Sequence, residues 1–128
     1  MTNKDLILTA NLIVGNMGDQ TTKTQKKLKK IYEKLKPMID DYQEKLEDIR
    51  LDNASVDENG NLILDNKGTY KFTKEGIKKI NEKIKELNDS VVEFKPIDII
   101  NPEGLDLHTY LKGWVNGINF KDEEVIDL

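Results

Sequence analysis

The chain has 128 residues, of which 34% are charged, with a formal net charge of −4 and no cysteine. Without cysteine there is no disulfide, thiolate nucleophile or sulfur-ligated zinc, and a reducing cytoplasm is the expected compartment. The acidic balance argues against a general nucleic-acid binder, and no run approaches the roughly 20 apolar residues that cross a membrane. The length predicts a single domain, residues 1–128.

The first predicted element is a short helix over residues 5–14. Apolar residues recur there at helical spacing, and Asn3 or Asp5 is the expected cap, although alternate positions also fit a strand. The same stretch lacks the basic lead and the cleavage pattern of a signal peptide. Gly15 and Gly18 then indicate a turn.

A long amphipathic helix is predicted over residues 21–51. Its apolar side chains recur every three or four residues and form one stripe: Leu28, Ile31, Leu35, Met38, Ile39, Tyr42, Leu46 and Ile49. Pro37 removes a backbone donor and presses on the carbonyl of Glu33, one turn back. Because the stripe keeps its phase, we predict a kink; the alternative is a helix break near Lys36, since the residue before proline disfavours helix.

Turn signals predict a β-hairpin after the long helix. Asn59-Gly60 and residues 66–68 are typical turn sequences, and they border two short runs with alternating apolar residues, 62–64 and 70–72. Val56 is a candidate for a third strand. An isolated hairpin is only marginally stable in water, so we expect this one to pack on the end of the helical part.

A second helix is predicted to begin at Thr73, which suits the capping position. It ends near Asn88, and its apolar stripe is Ile77, Ile80, Ile84 and Leu87. We expect it to pack antiparallel to the long helix, with the hairpin at the tip. Because the second helix is shorter, part of the long helix lacks an intrachain partner, which favours a homo-oligomer.

The remaining residues predict short extended pieces at 91–94 and 97–100 and a short C-terminal helix at 102–115. Four side chains of that helix are expected to face inward: Leu107, Leu111, Trp114 and Val115. The acidic tail, residues 121–128, either frays or docks through Val125, Ile126 and Leu128. The predicted fold is therefore α+β: a long kinked amphipathic helix, a β-hairpin, a second helix packed antiparallel and a short C-terminal helix.

A partial calcium-loop pattern begins at Ser55. Asp57, Asn59 and Gly60 suit the pattern, but Ser55 and Asn66 stand where an EF-hand needs a first carboxylate and a twelfth glutamate. We predict a turn there and no metal site.

No reactive constellation is present in the sequence. The one histidine, His108, has no nucleophile placed near it in sequence, and structural histidines are the commoner case. Adjacent carboxylates such as Asp40 and Asp41 point apart on a helix. We therefore predict no catalytic residue, no cofactor and no enzyme activity.

The strongest candidate site is the start of the long helix. From Lys23 to Lys36 there are seven lysines and one acid. Positive charge is unfavourable where the helix dipole is already positive, and a bound anion such as phosphate would relieve that conflict. The alternative is a solvated basic face that pairs with the acidic stretch 40–58, within the chain or between subunits. The predicted ligand-binding residues are Thr21, Thr22, Lys23, Thr24, Lys26, Lys27, Lys30 and Tyr32.

Among these residues, Lys23, Lys26, Lys27 and Thr24 are the predicted phosphate contacts. Tyr32 lies off the main apolar stripe, near the lysines, and either stacks on a base or lies at the edge of the core; the core edge is preferred.

The order of these elements resembles an uncharacterised family of small accessory proteins from tailed bacteriophages. The segments concerned are 21–30, 57–64, 70–75, 91–94 and 121–128. Members of that family carry arginines near the helix start, where this chain has threonines and lysines. The resemblance implies a phage origin and a non-catalytic accessory role.

The charge conflict and the resemblance lead to one main functional hypothesis. We predict a non-catalytic phage protein that binds and sequesters an anionic ligand, with a nucleotide immune signal of host defence as the leading case, in the host cytoplasm. One alternative is a structural virion or tail-assembly component that acts through protein contacts. Another is a protein inhibitor of a host defence factor.

Overall fold

The computed structural model describes residues 1–120, which form three α-helices followed by an irregular segment with a short sheet. The elements are α1 (Asn3–Met17), α2 (Thr22–Asn53), α3 (Lys74–Asp89), β1 (Ile97–Asp98) and β2 (Val115–Asn116). The fold is α+β and mostly helical, in agreement with the predicted class. None of these helices is both long enough and apolar enough to cross a membrane. The predicted docking of the tail lies outside the described residues.

The helix predicted at residues 5–14 is confirmed, and it is longer at both ends. Its cap is Thr2, not Asn3 or Asp5. The Thr2 hydroxyl accepts the Asp5 N–H at 3.2 Å, and the Asp5 carboxylate accepts the Thr2 N–H at 2.9 Å, which is a capping box. These bonds from Thr2 hold the pKa of Asp5 below its ordinary value. Gly15, predicted in a turn, lies inside α1, and the strand alternative is wrong.

α2 runs without interruption through Pro37. The alternative of a helix break near Lys36 is therefore wrong, and the kink stays a prediction. A proline inside a helix costs about 3 kcal/mol. The apolar stripe offsets this cost, because each fully buried aliphatic side chain contributes about 1.5–3 kcal/mol. The buried members of the stripe are Leu28, Ile31, Leu35, Ile39 and Tyr42.

The core lies between α1 and the first half of α2. It is closed by the irregular segment that follows α3, residues 90–120. Leu6 and Ile13 of α1 are fully buried there. From the irregular segment, Trp114 is 1% exposed, and its ring centroid lies 4.5 Å from that of Phe94. β1 pairs with β2 in parallel, with Ile97 opposite Val115. This ladder joins the early part of the irregular segment to its later part.

The C-terminal helix predicted at residues 102–115 is wrong. The stretch forms turns, a 3-10 turn at Thr109–Leu111 and the strand β2. Gly104 and Gly113 have φ angles of +84° and +83°, which are incompatible with a continuing right-handed helix. Of the four side chains expected inward, three are buried, but Leu107 is 69% exposed.

The predicted hairpin is present only as isolated antiparallel bridges, Val56 with Leu62 and Leu64 with Tyr70. Two aspartates organise the turns between them: the Asp57 and Asp65 carboxylates each accept two backbone N–H bonds from the residues that follow. Such Asx turns offer the backbone an alternative to ladder pairing. Hydrogen bonds from Thr69 lower the pKa of Asp65. In the described part of the chain, β1–β2 is the one regular ladder.

Residues 91–94, predicted as a strand, contribute one isolated bridge, Val91 with Thr2. Two backbone hydrogen bonds join this part of the chain to its start. The Asn3 N–H donates to the Ser90 backbone oxygen at 3.0 Å, and the Val92 N–H donates to the Met1 backbone oxygen at 2.8 Å. The segment thus fastens the end of α3 to the start of α1.

α3 begins against the end of α2. An added Cβ on Gly76 would lie 2.9 Å from the backbone oxygen of Asn53, closer than real Cβ contacts allow. Near the other end of α3, Asn88 accepts a hydrogen bond from the Tyr42 hydroxyl. The start of α3 therefore contacts the end of α2, and the end of α3 contacts the middle of α2.

Two glycine substitutions are expected to have opposite effects on stability. Gly76→Ala should lower the free energy of unfolding by about 1–3 kcal/mol, because the new methyl group meets the Asn53 backbone. Gly15→Ala should raise it by about 0.5–1 kcal/mol, because that helical position has no neighbour within 4 Å and alanine favours helix. Urea unfolding followed by circular dichroism measures both. A Gly76→Ala variant as stable as the wild type would contradict the helix contact described above, and a destabilised Gly15→Ala variant would contradict the open helical position of Gly15.

Candidate functional site

Four of the predicted lysines lie along one side of the first half of α2. Their spacing of three or four residues places them on one helix face. They line a cavity of about 470 Å³ together with two residues from the irregular segment. The lining residues are Lys23, Lys26, Lys27, Lys30, Asn101 and Glu103.

The opposite wall of this cavity is held close to α2 by two contacts. The Lys27 ammonium group donates to the backbone oxygen of Glu103 at 2.8 Å. Gly104 packs on the first turn of α2, where an added Cβ would lie 2.6 Å from the Thr24 hydroxyl oxygen. With a φ of +84°, this position also favours glycine on conformational grounds. The cavity is therefore shaped by a glycine turn packed on the start of the helix.

The four cavity lysines make no ion pair within 4.0 Å with any described residue. Ion pairs elsewhere in the described residues include Lys36–Asp40, Lys45–Asp41, Lys79–Glu75 and Lys83–Glu86. The ammonium group of Lys36, at the far end of the basic stretch, lies 3.2 Å from the Asp40 carboxylate. The alternative that the lysines pair with the acidic stretch 40–58 therefore applies to Lys36. Within the described residues, the lysines at the cavity keep their charge uncompensated by a direct partner.

The other predicted ligand-binding residues lie elsewhere. Thr21 caps α2 by accepting the Thr24 N–H at 3.3 Å, and its hydroxyl also donates to the Thr24 hydroxyl at 3.2 Å. Thr24 is only 6% exposed beneath Gly104, so its predicted contact with phosphate is not available in this arrangement. Tyr32 is half-buried against the core, which is the core-edge position. Thr22 is exposed in the first turn.

A second cavity, of about 340 Å³, adjoins the first and extends the site along α2. The two share Lys27, Lys30 and Asn101. The remaining lining of the second cavity is Ile31, Lys34, Ile97, Asp98, Ile99 and Ile100. Sequence reasoning did not select Lys34 or any residue of the wall. Helical spacing could have added Lys34, which is four residues beyond Lys30, but nothing local shows that residues 97–103 lie beside α2.

The backbone of the wall is fixed by the β1–β2 pairing. The Ile97 N–H donates to the Trp114 oxygen at 2.9 Å, and the Ile99 N–H donates to the Asn116 oxygen at 3.3 Å. The Asp98 carboxylate accepts a hydrogen bond from the Asn116 side chain at 3.2 Å. Ile97 and Asp98 of the second cavity thus belong to β1, and Ile99 directly after it is held by its bond to Asn116.

His108 lies in a separate, structural setting. It is 7% exposed, and its Nδ1 atom lies 2.8 Å from the Tyr110 hydroxyl oxygen. Burial lowers the pKa of His108, against an opposing effect of Asp106, and burial raises the pKa of Tyr110 to about 12. Among residues 1–120, no group of three or more histidine, aspartate or glutamate side chains is arranged to hold a metal ion. The arrangement of His108 is that of a buried histidine with a hydrogen-bond partner.

The buried His108 is expected to make the protein less stable at acidic pH. Its folded-state pKa is lowered, so the unfolded chain takes up a proton as the pH falls through about 6.5 while the folded imidazole stays neutral. The free energy of unfolding should therefore fall below that pH, by at most about 1.4 kcal/mol per pH unit, whereas His108 adds no pH dependence above it. Urea unfolding at pH 7.5, 6.5 and 5.5 measures the slope. His108→Gln should flatten it, and an unchanged slope in that variant would contradict the assignment.

In comparisons with known proteins, no family model, curated protein or solved structure matches this chain. The resemblance to phage accessory proteins therefore stays a prediction. The function of the site is accordingly argued from its geometry and charge.

Proposed function

We propose that this protein is a non-catalytic binding protein that sequesters a small anionic ligand in the lysine-lined cavity on α2. The observation that carries the proposal is the convergence of four lysines on one cavity without an ion pair to any described residue. Four ammonium groups and the single carboxylate of Glu103 leave this cavity with a net charge of +3.

A multiply charged anion is the ligand that fits this excess. Like charges three or four residues apart on a helix destabilise it by about 0.2–0.5 kcal/mol per pair, so the bare lysine row is unfavourable to α2. Phosphate oxygens accept short, charge-assisted hydrogen bonds from ammonium groups and would offset several of these repulsions together. The start of α2 is also the positive end of the helix dipole, which attracts an anion bound near Lys23.

A nucleotide immune signal of host defence is our leading ligand, in the cytoplasm of a phage-infected host. Sequestration needs affinity and no chemical step, and the described part of the cavity offers lysines, an amide and one carboxylate for that purpose. The protein would act by lowering the free concentration of the signal.

Isothermal titration calorimetry with cyclic nucleotides and ADP-ribose nucleotides tests the proposal. We expect saturable heat that weakens as salt is raised, because exposed charges are screened. Chromatography of the ligand after incubation should recover it unchanged. If no nucleotide gives heat up to about 1 mM, the binding free energy is weaker than about −4 kcal/mol and the proposal is rejected.

A second candidate function, a virion or tail-assembly component, is favoured by an apolar surface at the other end of the molecule. Val56, Leu62, Leu64 and Ile77 are between 40% and 54% exposed there. Val56 and Leu62 are bridge partners and share one face with Leu64. Such a surface suits protein contacts, including the proposed homo-oligomer. Mass spectrometry of purified virions separates the two functions, since a sequestering protein should be scarce in particles.

A further inference from the structure

We propose that the ligand is a nucleoside phosphate bound in one direction along α2, with its phosphates at Lys23 and Lys26 and its base against Ile99 and Ile100. This inference rests on the proposed function and adds the body of the ligand and its orientation. It follows from the different chemistry of the two adjoining cavities.

The first cavity is lined by charged and amide side chains, whereas four of the nine residues that line the second are isoleucines. Lys27, Lys30 and Asn101 belong to both, so the two cavities form one continuous groove. Lys23 lies at the charged end and Lys34 at the apolar end, about 16 Å apart along the helix at 1.5 Å per residue. A bare phosphate or pyrophosphate would fill only part of this groove and would leave the isoleucines uncovered.

Ile100 indicates that the apolar end is a contact surface. Its side chain is 93% exposed at the rim of the groove, and Ile97 and Ile99 are half-buried beside it. Covering a fully exposed isoleucine contributes about 1.5–3 kcal/mol. The flat face of a base covers such a surface at little conformational cost, because the base is rigid.

Beside its three lysines, the apolar half presents a carboxylate and an amide, and these two groups favour a nucleoside over a fatty acid. Asp98 presents a carboxylate that accepts hydrogen bonds, and Asn101 presents an amide that both donates and accepts. The edge of a base carries amino donors and ring-nitrogen acceptors that match these groups. A hydrocarbon tail would cover the isoleucines but would add no donor to the Asp98 carboxylate beyond the Asn116 amide, and burying an incompletely bonded charge is costly.

A nested series of probes, titrated into the full-length chain by calorimetry, tests the inference. Pyrophosphate carries only the phosphate groups of the proposed ligand, and ADP carries these together with a nucleoside. Decanoate is an anion with a hydrocarbon tail in place of the nucleoside. We expect ADP to bind at least about tenfold more tightly than pyrophosphate, from partial cover of the isoleucines, and to bind more tightly than decanoate.

Three single substitutions at exposed positions separate the two ends of the groove. Ile100→Ser should lower the affinity for ADP by about three- to tenfold and leave the affinity for pyrophosphate unchanged. Lys23→Gln should weaken both probes by the same factor. Leu107→Ser, at an exposed apolar residue that lines neither cavity, is the matched control and should change neither.

The outcomes distinguish this inference from the proposed function. Equal affinities for pyrophosphate and ADP would overturn the inference and leave the anion site in place. Tighter binding of decanoate would also overturn it, in favour of an anionic lipid. Absence of heat with every probe would reject the proposed function and the inference with it.

Discussion

Trp114→Ala is expected to lower the free energy of unfolding by about 3–5 kcal/mol. The indole is the largest of the fully buried side chains in the described part of the chain, and Phe94 packs on it with ring centroids 4.5 Å apart. The backbone oxygen of Trp114 also accepts the Ile97 N–H that begins the β1–β2 pairing. Because domains of this size are stable by only about 5–15 kcal/mol, the loss is a large part of the total.

Urea unfolding followed by far-ultraviolet circular dichroism measures this effect. The chain has a single tryptophan, so tryptophan fluorescence is lost in the variant and can follow the unfolding of the wild-type protein only. Trp114→Phe keeps an aromatic ring against Phe94 and should be clearly less destabilising. Leu107→Ala, at an exposed position in the same segment, should lie within about 0.5 kcal/mol of wild type. A loss below about 1 kcal/mol for Trp114→Ala would contradict the described core.

Reversing two cavity charges, Lys26→Glu with Lys30→Glu, is expected to weaken nucleotide binding by at least about 100-fold. Both side chains line the cavity and both are exposed, so the fold should tolerate the change. A unit charge 4 Å from another contributes about 1 kcal/mol even in bulk water, and each reversal replaces an attraction by a repulsion. Two reversals therefore sum to about 4 kcal/mol at low salt.

The matched control carries the same two reversals on α3, Lys78→Glu with Lys85→Glu. Both control residues are exposed and line neither cavity, and the two double variants have the same net charge. Calorimetry at low and high salt compares them, with circular dichroism as the check on folding. If the α3 variant loses as much affinity as the α2 variant, binding depends on overall charge and the cavity has no special part in it.

Local signals in the sequence were sufficient for the helices of this protein. Thr73 is an N-cap because its hydroxyl accepts an N–H three residues on, and that residue preference is visible in any sequence. The apolar spacing of α2 likewise follows from helix geometry, and it survives Pro37 because the stripe is buried on both sides of it.

Non-local packing accounts for what the sequence did not show. The spacing of Leu111, Trp114 and Val115 resembled a helix, but these side chains reach the core from a 3-10 turn, from β2 and from the turn between them, which contains the positive-φ residue Gly113. Thr24 stood at a helix start and was predicted as a ligand contact, yet Gly104 covers it from a distant part of the chain. The lysines were predicted from their clustering at the start of a helix, whereas the opposite wall of their cavity depends on the β1–β2 pairing.

The two halves of α2 are held by different surroundings. The first half contributes Leu28, Ile31, Leu35 and Ile39 to the core. Beyond Tyr42 the helix meets α3 and the bridged segment, where the Tyr70 hydroxyl donates to Glu47 at 2.8 Å. Residues 43–73 are half-buried at most, whereas α3 buries Gly76 and Ile80. Segments with few buried contacts open at a lower free energy than the core does. We therefore expect residues 43–73 to open at a lower free energy than the core, while the lysine groove at the other end of the same helix keeps its shape.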